Sequence, residues 1–276
     1  MLAALIIVFR EVFEAGLIVG IVLAVTQNVS GRGWWITGGI AGGALGACLA
    51  AIFAGQLSTA FGGIGHELFN AAILSIAVVM LIWHNVWMAR HGRELAAEMV
   101  AVGQAVAAGS KPMTALAVVV GVAVLREGVE VVLFLYGIAA SGDSAAAIFV
   151  GALAGLALGA AVSGLTYFGL LNVPARHLFA VTSVMIAFLA AGLAAQATAF
   201  LQQADVVTVL DQTVWDSSGL LSDSSLAGRA LHTLIGYTER PTAMELVVYL
   251  VTLAVIFVLM KVLAPPAATD AAVSKA

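Results

Sequence analysis

Seven stretches of this sequence, residues 2–26, 34–54, 69–88, 113–140, 145–170, 176–199 and 243–263, are apolar almost throughout. Each is about 20 residues or longer, the length at which an α-helix crosses the hydrocarbon core of a bilayer. Inside lipid every backbone N–H and C=O has to be satisfied within the segment, so runs of this kind are helices. Composition agrees. Of 276 residues, 62% are hydrophobic and only 9% charged, against roughly 25% charged in an ordinary soluble domain. The chain is expected to be an all-α polytopic membrane protein, a single transmembrane domain over residues 1–276.

The first apolar run begins at Met1 as MLAALIIVF. It lacks a basic n-region and a small-residue cleavage signal, so it reads as a retained span. A net charge of −4 offers no basic surface for nucleic acid. Cys48, the single cysteine, excludes an internal disulfide framework. Orientation follows from the basic residues. With the N-terminus outside, the inner side receives Arg32, Arg90, Arg93, Lys111, Arg176, Lys261 and Lys275, and the outer side only Arg229 and Arg240. The expected arrangement is therefore N-out and C-in. Residues 200–242 form the extracytoplasmic loop, carrying Asp205, Asp211, Asp216 and Asp223. Residues 264–276 are an inner tail. Between spans three and four, Leu95, Met99, Val102 and Val106 recur at helical spacing opposite Arg93, Glu94 and Glu98. That pattern predicts an interfacial helix over 89–110. Trp34, Trp35, Trp83 and Trp87 fall near the inner boundary, as an aromatic belt does.

Two spans break the apolar rule in the same way. Span one reads FREVFEAGLIVG from residue 9, and span four reads LREGVEVVLFL from residue 125. Arg10-Glu11-x-x-Glu14 thus recurs 116 residues later as Arg126-Glu127-x-x-Glu130. Gly38, Gly42 and Gly46 step by four in span two, and Gly151, Gly155 and Gly159 in span five. Each trio offers a smooth face that could serve internal packing or a homo-oligomer equally well. Together these features predict two related three-span units, 1–88 and 113–199, with the seventh span 243–263 appended. An odd number of spans makes the copies inverted, as in many transporters.

Each charge at a helix centre costs roughly 2.5–3.5 kcal/mol on insertion scales. Six are tolerable only if they face one another or water. Residues i, i+3 and i+4 share a helix face, so Glu11 points with Glu14, and Arg10 reaches Glu14. The same holds for Glu127, Glu130 and Arg126. Inverted copies would bring four carboxylates together near mid-membrane, with the two arginines balancing charge. Carboxylates are hard ligands suited to Ca²⁺, Mg²⁺, Mn²⁺ or Fe³⁺. Four Glu and two Arg sum to −2, which accommodates a divalent or a trivalent ion. Crowded buried carboxylates retain protons, so protons are expected to leave as metal arrives. The competing reading makes each Arg–Glu set a packing salt bridge; its recurrence in both halves argues for function.

At these residues the sequence resembles the oxidase-dependent iron permease family, which includes fungal high-affinity iron permeases and bacterial EfeU-type permeases. The motifs REVFEAGLIVG and REGVEVVLFL carry the resemblance, with MLIWHNVWMARHGREL at span three and VWDSSGLLSDSSLAGRALHTLIGYTERPTAMELVVYL in the last loop and span. The resemblance implies seven spans, the N-terminus outside, inward carriage of iron across the cytoplasmic membrane of a bacterium, and Glu11, Glu14, Glu127 and Glu130 as iron ligands. It also implies an extracytoplasmic oxidase or iron-binding partner protein. HELFNA at 66–71 departs from the family stretch it resembles, where position 70 is often acidic; here Asn70 leaves Glu67 as the carboxylate.

Other candidates are weaker. A zinc-protease HExxH reading of His66-Glu67 fails at Asn70. Glu67 is a gate or relay carboxylate at the outer mouth, or a snorkelling boundary residue. His84 is a late ligand or proton carrier, or more commonly for such a residue an interfacial histidine. Asp211, Asp216 and Asp223 could gather cations, or be a solvated loop. No Walker A, haem or flavin motif occurs, so no permanently bound cofactor is expected and iron is substrate. Three rival functions stand beside an iron permease: a broader Mn/Fe divalent-cation transporter, a membrane-embedded carboxylate metal enzyme, and a membrane scaffold.

Overall fold

The computed structural model describes residues 1–60, 66–170, 175–223 and 225–263. Among them the chain forms helices α1 (Leu2–Val25), α2 (Arg32–Ala60), α3 (His66–Ala107), α4 (Thr114–Ala140), α5 (Ala145–Tyr167), α6 (Ala175–Gln203), α7 (Leu226–Ile235) and α8 (Ala243–Leu263). The one strand-like pairing among these residues is an isolated antiparallel bridge between Thr213 and Thr242. The expected inner tail 264–276, with Lys275, lies outside the described residues.

Among the described residues, five segments are long and apolar enough to cross a membrane: Arg32–Ala54, Glu67–Met88, Ala145–Tyr167, His177–Gln203 and Ala243–Leu263. Helices α1 and α4 have 24 and 27 residues, about 36 and 40 Å at 1.5 Å per residue. They have the length; what sets them apart is the Arg, Glu, Glu set that each carries.

The helix predicted at 89–110 is not a separate element. Those residues continue α3, which runs unbroken for 42 residues. Met99 and Val106, the apolar stripe of that extension, are buried against Val22 of α1, Ile36 of α2 and Leu116 and Val120 of α4. The stripe is thus covered by protein. A second, larger core joins Ala4 and Ile7 of α1, Leu74 and Leu81 of α3, Phe134 and Ile138 of α4, Ile186 and Ala190 of α6, and Ile256 of α8.

Close helix pairs are made by glycine, though not by all the glycines the spacing suggested. A Cβ on Gly43 would stand 2.6 Å from the carbonyl oxygen of Gly121, and one on Gly39 would stand 2.6 Å from that of Ala117. Gly38 and Gly42 face open space, so the packing face of α2 is Gly39, Gly43 and Gly46. In α5 the expected trio packs: Gly151, Gly155 and Gly159 lie on the carbonyls of Met1, Leu5 and Phe9 in α1. The glycine faces therefore serve α2 on α4 and α5 on α1.

The described residues of 204–242 are tied together by hydrogen bonds. Val214 and Ser217 donate backbone hydrogen bonds to Pro241 and Glu239. The Tyr237 hydroxyl meets Ser217 Oγ at 2.6 Å and donates to the Leu221 carbonyl at 2.7 Å. Short helix α7 starts on the Ser225 side-chain cap and ends at Gly236, whose φ of 70° suits a residue with no Cβ.

Candidate metal centre

The charges of α1 and α4 fall where helical spacing puts them. Arg10 Nε donates to Glu14 Oε1 at 2.8 Å, and Arg126 Nε to Glu130 Oε1 at 3.1 Å. Helices α1 and α4 pack against each other, and both pack on α3. That third contact inserts His84 between the two motifs. Its Nε2 stands 3.5 Å from Glu11 Oε2 and 3.6 Å from Glu14 Oε2, while Nδ1 is paired with Glu130 Oε2. The ring sits edge-on to Phe134, centroid to centroid 6.3 Å, which restrains its plane.

One donor atom from each of Glu11, His84, Glu127 and Glu130 lies within 4.8 Å of the others. Glu11, Glu127 and His84 are buried, and Glu130 is partly so. Neither oxygen of Glu11 accepts a hydrogen bond, and neither Glu127 Oε2 nor Glu14 Oε2 does. Orphaned buried oxygens are costly, and a cation in the space between them would supply the missing partner. Three carboxylates and one imidazole form a mixed O/N donor set. Carboxylate alone suits hard ions such as Ca²⁺ and Mg²⁺, whereas imidazole suits first-row transition metals.

Two hollows reach this cluster. A cavity of about 370 Å³ between α3 and α4 is lined by Trp83, His84, Trp87, Arg126 and Glu130, among others. An apolar crevice of about 780 Å³ runs between α2 and α5, walled by alanine, valine, leucine and phenylalanine, with Glu11 and Glu127 at its floor.

The structure distributes the sequence candidates unevenly. Glu11, Glu127 and Glu130 come together, and Glu14 faces the same space with one oxygen held by Arg10. His84 stands at the centre, although the apolar run placed it near a helix end. Glu67 is in the first turn of α3, 17 residues and about 25 Å of helix from His84, so it is not in the cluster. The loop aspartates do not converge. Asp211 is exposed. Asp216 bonds to the amide and hydroxyl of Ser218 and pairs with Arg240 at 3.0 Å. These hydrogen bonds, followed by Arg240, hold its carboxyl well below the usual range, at about 2. Asp223 and Glu239 each accept the other's backbone N–H. Asp216 and Asp223 thus brace the loop.

The family model described as Iron permease FTR1 family matches residues 1–267. Ferrous iron permease EfeU of Escherichia coli O6:K15:H31 (strain 536 / UPEC) is 34% identical over 266 residues, 94% of this chain and 96% of that protein. The protein of the same name from Shigella sonnei (strain Ss046) is 33% identical over 257 residues, 92% of each chain. That of Yersinia pestis is 32% identical over 257 residues, 92% of this chain and 90% of the other. No solved structure matches.

Proposed function

The chain belongs to the iron permease FTR1 family, and from that premise, an iron permease of the bacterial inner membrane, we propose that iron crosses through the cluster of Glu11, Glu127, Glu130 and His84. The observation that carries this reading is the convergence of four donor atoms within 4.8 Å in a buried space, beside a Glu11 carboxylate that accepts no hydrogen bond. Iron is substrate here. Arg10 and Arg126 hold Glu14 and Glu130 in place and offset charge when the ion is absent. With the four motif glutamates ionised and both arginines charged the cluster carries −2, which a divalent ion neutralises. A neutral imidazole among the donors favours Fe²⁺ over Ca²⁺ and Mg²⁺. Oxidation to ferric iron, and an extracytoplasmic oxidase or iron-binding partner to perform it, extend the reading. Such a partner would meet the side carrying residues 204–242.

The finer architecture follows the same reading. Helices α1 and α4 join the five apolar spans to give seven, with the N-terminus outside and the C-terminus inside. Helices α1–α3 and α4–α6 are inverted repeats. The glycine contacts support the repeat. Gly39 and Gly151 meet the carbonyls of Ala117 and Met1, and Gly43 and Gly155 those of Gly121 and Leu5. The partners differ by 117 − 1 = 116 and 121 − 5 = 116, the offset between the two charged motifs.

The test is radio-iron uptake into proteoliposomes, with ferrous and ferric iron compared across a pH gradient. Glu11→Ala and Glu130→Ala are expected to abolish uptake while the protein still folds. Normal uptake by either would overturn the ligand assignment. Equal uptake of Mn²⁺ and Fe²⁺ would favour the broader divalent-cation transporter.

A further inference from the structure

Away from the charged motifs, polar side chains gather at the end of the bundle where α1 begins and α4 stops. A hollow of about 140 Å³ is bordered there by Ser141, Asp143, Gln196 and His232. Ile138 and Leu189, both part of the larger buried core, form apolar wall. Ser141 caps the end of α4, 11 residues and about 17 Å of helix beyond Glu130. No residue of the metal cluster lines the hollow. It is a separate place, built where the α4–α5 turn, α6 and α7 meet the start of α1.

The way α7 ends sets up its histidine. Gly236 takes a φ of 70°, and its amide donates to the His232 carbonyl at 2.9 Å, a left-handed helix end. The chain turns back there, and the Tyr237 carbonyl comes to lie 2.7 Å from His232 Nδ1. A carbonyl oxygen can only accept, so Nδ1 carries the proton and the neutral ring keeps its lone pair on Nε2. Metal-binding histidines are held in this way, the second nitrogen anchored on a carbonyl that fixes the tautomer and the ring plane. Gln196 is fixed by the same logic. Its amide nitrogen donates to the Ser141 carbonyl at 2.7 Å, so its amide oxygen is the end left to accept. Asp143 accepts the Met1 ammonium on Oδ2 at 3.0 Å, and its Oδ1 is a second acceptor. An imidazole nitrogen, an amide oxygen and a carboxylate thus belong to one hollow, and no lysine or arginine lines it.

We propose that this hollow is a second metal site, a receiving site for a divalent first-row transition ion, with His232 Nε2, Asp143 and Gln196 as its protein ligands. The donors choose the class of ion. Carboxylate and amide oxygens alone suit Ca²⁺ or Mg²⁺, and the imidazole moves the preference to transition metals. The site is weaker than the buried cluster, because it offers one carboxylate where the cluster offers three. Water completes the coordination, for which a hollow of this size has room. The inference rests on the permease reading, which supplies the cargo. With the N-terminus outside, the site faces the side from which iron arrives, and α7 brings His232 to it from the loop on that side.

Equilibrium dialysis of the purified full-length chain against Fe²⁺, without oxygen, tests this. Two ions per chain are expected, one tight and one weaker. Glu11→Ala should remove the tight ion and His232→Asn the weaker one. Asparagine places an N–H close to where Nδ1 was, so the tie to Tyr237 is kept while Nε2 is lost. His232→Gln, which puts an amide oxygen near the place of Nε2, should retain a second ion at reduced affinity. Gln196→Glu, which adds a ligand charge, should tighten it. In proteoliposomes, His232→Asn should raise the KM for Fe²⁺ uptake at least about tenfold, far more than it lowers kcat, the pattern of lost binding. One ion in the unmodified chain, or two in the His232→Asn protein, would overturn the second site. A second ion exchanged as readily for Ca²⁺ as for Fe²⁺ would overturn its assignment to transition metals. Should the reconstituted protein move no iron, the permease reading fails on uptake while dialysis still decides the site.

Discussion

His84 on α3 reaches the fully buried Glu11 on α1, with Nε2 3.5 Å from Oε2, so a third helix contributes a nitrogen to a site otherwise built of carboxylates. In the proposed site this nitrogen would make the donor set selective for a first-row transition metal. His84→Gln keeps a polar side chain but removes the imidazole. Ferrous binding is expected to weaken by at least about tenfold, the lower end of what even an outer ligand partner costs. Discrimination against Ca²⁺ and Mg²⁺ should weaken with it. Titration calorimetry on the detergent-solubilised protein, with each of the three ions, measures both. Unchanged Fe²⁺ affinity would remove His84 from the donor set.

Arg10 and Glu14 form the most enclosed ion pair among the described residues, each side chain 1% exposed. Arg10→Met leaves Glu14 charged and uncompensated, and breaking a buried pair in this way costs about 3–5 kcal/mol. Arg10→Met with Glu14→Gln should recover part of that loss. Arg126→Met should cost less, because Arg126 is 32% exposed and its field is screened. Thermal unfolding of the four proteins in lipid–detergent micelles gives the ranking, and equal losses for Arg10→Met and Arg126→Met would contradict it.

The apolar runs were enough to read an all-helical membrane protein, and the spacing of two charged triplets pointed to one site of Glu11, Glu14, Glu127 and Glu130; in the structure donor atoms of three of these, Glu11, Glu127 and Glu130, lie together with His84. What they did not convey was depth. The run of span three stops near Arg90 and Arg93, which suggested a helix end at 88 and made His84 a boundary residue. In the structure α3 continues to Ala107, because Met99 and Val106 are covered by α1, α2 and α4, so His84 is mid-helix. The signal that could have located it was the adjacent pair His84-Asn85 within an apolar span, since polar groups there need partners. The Asn85 amide nitrogen has one, donating to the Ser183 carbonyl at 3.2 Å. Helix α7 was missed for another reason. Ten residues are too few to stand out by periodicity, and its markers were the Ser225 cap and Gly236. Choosing Gly39 and Gly43 over Gly38 and Gly42 needed the direction of approach of α4, which spacing along one helix does not contain.

That choice makes its own prediction. Gly43→Ala places a methyl 2.6 Å from the Gly121 carbonyl oxygen, closer than real Cβ atoms come, and the obstacle is backbone, so no rotamer relieves it. Overpacking of this kind costs about 1–3 kcal/mol. Gly155→Ala, against Leu5, should cost the same, and Gly42→Ala, with nothing within 4 Å, should be neutral or slightly stabilising. Melting temperatures of the three variants test the register of α2 on α4 and of α5 on α1 together.

Acid should weaken iron binding through the cluster and not through the loop. Metal takes deprotonated carboxylates, so protons compete with it, affinity rises with pH, and binding releases protons. Calorimetry in two buffers of different ionisation enthalpy counts them, and a release of zero would contradict the charge accounting of the site. The loop behaves differently. Asp216, at about 2 in the folded chain, lies below its ordinary value of about 3.9. A group depressed on folding contributes its stabilisation above the unfolded value and loses it as pH falls through the folded one. The tie from Asp216 to Ser218 and Arg240 is therefore complete above about pH 4 and fades toward pH 2. Iron uptake should fall as pH is lowered toward about 4 while hydrogen exchange at the Ser218 amide, corrected for its intrinsic pH dependence, stays constant. If protection at Ser218 is lost in the same range as uptake, the acid effect belongs to the loop.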